Sequence, residues 1–177
     1  MPRINVNTIT KGRMDYFMNT INYVARKDRC TEGYLGATNL YLPPKRSDLV
    51  PVIMYQIKGL WEFFNKHDVR LGLHVEINLA PSELEYLSKM QVLQIEYFVA
   101  NAVCADCMTY FSVHDHSELL HIDMLVILIH LDTGLMYGCN KAGWHAIEGR
   151  LMEYLQNFMP ESAVGEFQVS FDQHTRK

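Results

Sequence analysis

The chain has 177 residues, 49% of them apolar, which suits one buried core and a single domain over residues 1–177. No apolar run is long enough to span a bilayer, the densest being Met124–Leu131, and the opening MPRINVNTIT lacks the apolar core of a signal peptide, so a cytoplasmic protein without membrane insertion is expected. The net charge of -4 argues against a uniformly basic nucleic-acid coat, yet its distribution is uneven: residues 1–70 carry more cations than acids, among them Arg26, Lys27, Arg29, Lys45 and Arg46, and the remainder is acidic. Such a basic part suits phosphates; a scatter of surface charges is the plainer alternative.

In chain order, Asn5–Thr10 reads as a first strand. Met14–Arg26 reads as a helix, with Met14, Phe17, Met18, Ile21, Val24 and Ala25 as an apolar stripe. Thr31–Pro51, with Gly33, Gly36, Pro43, Pro44 and Pro51, reads as a loop able to lie across a substrate. Lys58–Lys66 predicts a short helix, and Leu71–Leu79 a strand, because apolar residues at odd positions alternate with Gly72, His74, Glu76 and Asn78. A long helix is expected to open at Pro81 and Ser82, with Ser82 and Glu85 as a capping box. Met108–His114 and His121–Ile129 form a candidate strand pair, Gly134–Gly143 a turn region, Ala146–Phe158 a last helix, and Phe167–Phe171 an edge strand. The order predicts an α+β fold, an antiparallel-rich sheet with helices over one face.

Two groups of residues have the types needed for chemistry. If the strands on either side of residues 115–120 pair antiparallel, His114 and His121 become neighbours, and Asp123 shares the face of His121. Two imidazoles and a carboxylate suit a divalent cation with open positions for substrate oxygens; exposed loop histidines beside a strand-end pair are the alternative. His116 is a substitute ligand. Glu76 shares its strand face with His74 and is placed to orient a ligand imidazole. Tyr16 and Tyr23 project from the first helix on the side opposite its apolar stripe, and Tyr23 precedes Arg26 and Lys27, a setting that favours phenolate and attracts phosphate. Tyr34, Tyr41 and Trp61 are candidates for base stacking. The C-x-x-C pair Cys104 and Cys107 lacks a second ligand pair at standard spacing and reads as reduced thiols near a helix end.

Taken together, a tyrosine in a YVARK helix end, HVEINLAPSEL before a helix, and VHDHSELLHIDMLVIL resemble the relaxases of mobilisable plasmids and integrative elements, the MobA/MobL-type mobilisation nucleases. The block Glu76–Leu84 is similar to that family's EIALPxEL motif; His114-Asp115 and His121 are similar to parts of its HD…NPHAH motif. The family's final metal histidine is Asp123 here, and its Asn-Pro is Leu119-Leu120. The resemblance implies an HUH-endonuclease-like sandwich that nicks single-stranded DNA at a transfer origin. It also implies a 5′-phosphotyrosyl intermediate on Tyr23, favoured over Tyr16 because its segment resembles the family's tyrosine motif, a divalent metal (Mg²⁺ or Mn²⁺) at His114, His121 and Asp123, and accessory mobilisation proteins as partners. The carboxylate at 123 suits a hard cation and leaves two outcomes open: an active variant with altered metal preference, or a relative that binds DNA without cutting. A rolling-circle replication initiator is the rival with the same chemistry.

Overall fold

The computed structural model describes residues 3–10, 14–25, 30–66, 70–79, 85–114, 120–138, 140–160 and 168–171. In chain order the elements are β1 (Arg3–Ile9), α1 (Met14–Ala25), β2 (Cys30–Thr38), α2 (Leu49–Phe63), β3 (Gly72–Leu79), α3 (Lys89–Cys104), β4 (Cys107–His114), β5 (Leu120–His130), α4 (Lys141–Leu155) and β6 (Gln168–Phe171). The strands form one sheet in the order β2-β4-β5-β3-β1-β6. Every neighbouring pair is antiparallel except β1 and β6, which run parallel. This is the α+β class expected from the sequence.

Helices cover both faces of the sheet rather than one. On one face Val75, Ile77, Ile122, Met124 and Val126 pack against Val92, Ile95 and Val99 of α3 and Trp144, Ile147 and Leu151 of α4. On the other, Tyr110, Leu125, Ile127 and Ile129 pack against Phe17, Ile21 and Val24 of α1 and Ile53, Ile57 and Trp61 of α2. The reason is visible in β5, where Met124 to Ile129 are all buried. A strand apolar on both sides must be covered on both sides.

Other elements differ from the sequence-based expectation for local reasons. The segment expected to be a loop over 31–51 contains β2, an edge strand whose register against β4 shifts between Cys30 and Leu35. Glycine within a strand is at home beside such an irregularity, and Gly36 faces the Phe111 ring. Helix α2 begins at Leu49, earlier than expected, because Pro51 falls in its first turn, where a missing N–H costs nothing. The capping box of α3 is Ser88 with Gln91. Ser82 lies outside the described residues. Helix α4 starts at Lys141 because Asn140 caps it, its side chain accepting from the Gly143 N–H at 2.9 Å. No helix among the described residues is long and apolar enough to cross a membrane.

Candidate active site

The register of the three central strands builds a polar patch on the α1 side of the sheet. Directly paired residues share a face, so one rung reads Ser112, Asp123, Glu76, Asn5 across β4, β5, β3 and β1. The next rung toward the strand ends reads His114, His121, Asn78. On the other side of Asp123, His74 pairs with Leu125. The patch is thus polar at one end and passes into the apolar seam of Leu125 and Ile127 at the other.

Asp123 is fully buried at its centre. Its Oδ1 lies 2.8 Å from His74 Nε2 and its Oδ2 lies 3.0 Å from His114 Nδ1. Burial alone would raise the Asp123 carboxyl pKa. Hydrogen bonding and charge from His114 and His74 override it and hold the group below its ordinary value. The other nitrogen of His114, Nε2, lies 3.1 Å from Ser112 Oγ, and that hydroxyl donates to the Val24 carbonyl at 2.9 Å. The end of α1 is therefore tied to the rung that carries Asp123.

Both candidate tyrosines reach this patch. They sit on the flank of the α1 apolar stripe rather than opposite it, half-buried, with Thr20 between them. Tyr16 Oη is 3.2 Å from His74 Nδ1. The Tyr23 ring meets the His114 ring edge-on at 4.6 Å between centroids. Since His74 Nε2 faces a carboxylate, that nitrogen carries the proton and Nδ1 is left to accept from the Tyr16 hydroxyl. The result is a tyrosine–histidine–carboxylate relay. Tyr16, Asn19, Thr20, Asn22, Tyr23, His74 and Glu76 line a cavity of about 480 Å³ above it.

Among the described residues, Glu76 bonds to amides rather than to an imidazole. Its Oε1 accepts from Asn5 Nδ2 at 2.9 Å and from Asn78 Nδ2 at 2.8 Å, and Asn78 Oδ1 in turn contacts His121 Nδ1. Glu76 therefore orients His121 through an amide. His114, His121 and Asp123 share one face, but they do not form a ligand cluster. Both Asp123 oxygens face histidines, both His114 nitrogens are engaged, and His121 Nδ1 is turned to Asn78. As arranged, their donor atoms are not gathered within 4.8 Å of one another. Among the described residues, one group of three possible donors has its atoms all within 4.8 Å, namely Cys104, Cys107 and His130, elsewhere in the fold.

The remaining expectations divide as follows. Arg26, Lys27, Arg29, Asp115 and His116 lie outside the described residues. Lys45 is exposed and does not line the cavity, and Arg46 begins a single 3-10 turn, Arg46–Asp48, leading into α2. Trp61 is buried against Phe17 and is not a stacking platform, whereas Tyr41 is 63% exposed. Cys104 and Cys107 are joined in a disulfide, not the reduced pair expected. Sequence reasoning missed His74 and Asn78 as working parts of the site. The alternation of β3 placed both on the polar face, but their partners depend on which residues of β5 lie opposite.

No protein-family model and no curated protein match the chain. Solved structures do. One, determined as the molecular basis of vancomycin resistance transfer in Staphylococcus aureus, is similar over 96% of this chain and 97% of its own, with a TM-score of 0.62 at 12% identity. A MobM relaxase domain (MOBV; Mob_Pre) bound to 23-nucleotide plasmid pMV158 oriT DNA, in a Mn-bound crystal, aligns over 93% of this chain and 90% of its own, with a TM-score of 0.58 at 14% identity. The same domain bound to 26-nucleotide oriT DNA aligns over 88% and 86%, with a TM-score of 0.54 at 16% identity. At these identities the likeness is one of fold, and over nearly its whole length this chain has a relaxase-type fold.

Proposed function

We propose that this protein is a relaxase that nicks single-stranded DNA at an origin of transfer, with Tyr16 as the nucleophile. The observation that carries the reading is the relay from Tyr16 Oη to His74 Nδ1 and from His74 Nε2 to Asp123, opening into a cavity lined by α1 and β3. His74 takes the phenol proton at Nδ1 as Tyr16 Oη attacks the scissile phosphorus, and Asp123 stabilises the imidazolium that forms. The new bond is Tyr16 Oη to phosphorus and the bond broken is phosphorus to the 3′-oxygen. The products are a 5′-phosphotyrosyl DNA and a free 3′-hydroxyl, protonated by the imidazolium. Tyr23, on the same wall, packs on His114 and positions the strand. Lys45, Arg46 and the cations at 26, 27 and 29 supply phosphate contacts along the basic part of the chain. The relaxase domains of similar fold are bound to oriT DNA, which supports the choice of substrate. Accessory mobilisation proteins would be further partners.

A divalent cation at His114, His121 and Asp123 would require His114 and Asp123 to exchange their mutual contact for the metal. That closed network also favours a second reading, a DNA-binding protein on the same fold that does not cut. One experiment separates the two. The protein is incubated with a pool of single-stranded DNA, with and without Mn²⁺, and adducts that survive denaturant are sequenced. The unmodified chain and Tyr23→Phe are expected to form an adduct, and Tyr16→Phe none. His74→Ala is expected to slow its formation by about 10²- to 10⁴-fold, the usual contribution of a general base. Retained DNA binding with no adduct from the unmodified chain would establish the silent reading.

A further inference from the structure

The C-x-x-C pair, which strand cleavage leaves unused, lies at the opposite end of the β4–β5 ladder from His114 and His121. Cys104 ends α3, Cys107 opens β4, and Cys107 pairs with His130 at the end of β5. Both cysteines are buried and His130 is half-buried. Their donor atoms lie within 4.8 Å of one another, and Cys104 Sγ is 3.9 Å from His130 Nδ1. Zinc bonds of about 2.3 Å to sulfur and about 2.05 Å to nitrogen give a tetrahedral sulfur–nitrogen edge of roughly 3.6 Å, close to that separation.

The turn between the cysteines is held from outside. Asn39, in a left-handed backbone conformation (φ 55°), donates through Nδ2 to the carbonyls of Ala105 at 2.6 Å and Cys107 at 3.0 Å. The Leu131 N–H donates to the Asp106 carbonyl at 2.9 Å, and Arg150 donates to the Ala102 carbonyl at 3.1 Å. These bonds draw the backbone carbonyls of the turn to neighbouring elements and fix the cysteines beside His130. Two thiolates and an imidazole select a soft or borderline cation over Mg²⁺ or Mn²⁺.

We propose that Cys104, Cys107 and His130 form a zinc site in the reduced protein, with a fourth position for water. The sulfurs are joined as a disulfide in the structure, so the site opens on two-electron reduction. Two molecules of a low-molecular-weight thiol become one disulfide, and the Cys104–Cys107 bond becomes two thiols. Zinc then displaces both thiol protons and accepts the Nδ1 lone pair of His130. Bound there, it staples α3, β4 and β5 together.

The test is a cobalt(II) titration of the full chain in excess thiol-free phosphine reductant, without oxygen. Cobalt reports thiolate ligation by a sulfur-to-metal charge-transfer band, and the cysteine variants assign that band to this pair rather than to Cys30, which pairs with His114. The expected result is one cobalt per chain with that band, its displacement by zinc, and loss of the band in both Cys104→Ser and Cys107→Ser. His130→Gln is expected to weaken binding by roughly a hundredfold or more, since even partners of metal ligands are worth 10- to 100-fold. Zinc should also raise the melting temperature of the reduced chain. Absence of the band in the reduced, folded, unmodified protein would overturn the proposal. So would a band that survives Cys104→Ser, or full affinity in His130→Gln.

Discussion

At the scale of single residues, two buried carboxylates behave in opposite ways because of what faces them. Asp123 has a histidine at each oxygen, so its pKa is lowered despite burial. Its contribution to stability is present above the ordinary value of 3.8 and is lost as pH falls through the lower, folded-state pKa. Asp123→Asn keeps the shape and removes the charge, which should cost on the order of 3 kcal/mol at neutral pH. Chemical denaturation should register that loss, and the gap between the two proteins should narrow below pH 4. Glu96, on the buried side of α3, has neither carboxyl oxygen hydrogen-bonded among the described residues, and burial pushes its pKa up to about 9. Its folded-state pKa therefore lies above the unfolded one. Its contribution to stability is fully present below about 4.5 and is lost as pH rises toward 9. Glu96→Gln should flatten that decline and melt a few degrees higher than the unmodified chain at pH 9. A steeper decline in the variant would mean that Glu96 is charged and paired. Of these residues, Asp123 was legible from its spacing to His114 and His121. The role proposed for His74 was not, because its contact with Asp123 runs diagonal to the β3–β5 pairing and the segments are far apart in sequence.

At the scale of elements, periodicity located β3, β4, β5 and α1 because burial on a regular face leaves a regular trace. It was weaker where the signal was punctuation. Glycines and prolines over 31–51 suggested a loop, yet an edge strand absorbs glycine and a first helical turn absorbs Pro51. The start of α3 shows the same limit: Ser82 with Glu85 and Ser88 with Gln91 both have capping-box spacing, and spacing alone does not choose between them. In the structure the Ser88 hydroxyl accepts from the Gln91 N–H while the Gln91 side chain accepts from the Ser88 N–H at 2.7 Å. Ser88→Ala should therefore cost about 1 kcal/mol, or about 2–4 °C in melting temperature. Ser88→Asp, which retains a cap and adds a favourable charge at the helix start, should recover most of it. An unchanged melting temperature in the alanine variant would show that α3 is held by its packing alone.

At the scale of the whole molecule, a sheet buried on both faces leaves little room for a polar site. This one lies under α1, where β3 and β4 end and β5 begins, so a strand bound as proposed would approach across α1. Among the described residues, the cavity there is lined by hydroxyls, amides, an imidazole and a carboxylate, with no lysine or arginine. With a net charge of -4, the proposed attraction for a phosphate backbone would have to come from the basic part of the chain, residues 1–70. That uneven charge gives a quantitative expectation for single-stranded DNA binding by the full chain. Affinity should fall with salt on a log–log plot, and removing one phosphate-binding cation should reduce the slope by about 0.7. Lys45→Ala is expected to weaken binding and lower the slope by about that amount, because an exposed ammonium contributes through counterion release. Tyr16→Phe removes a hydroxyl and no charge, so it should leave the slope unchanged while abolishing the covalent adduct. Fluorescence anisotropy of a labelled strand across a salt series measures the slopes, and a denaturing gel of the same mixtures reads the adduct. A slope that is unchanged in Lys45→Ala would remove Lys45 from the DNA path and leave the remaining cations of residues 1–70 to carry it.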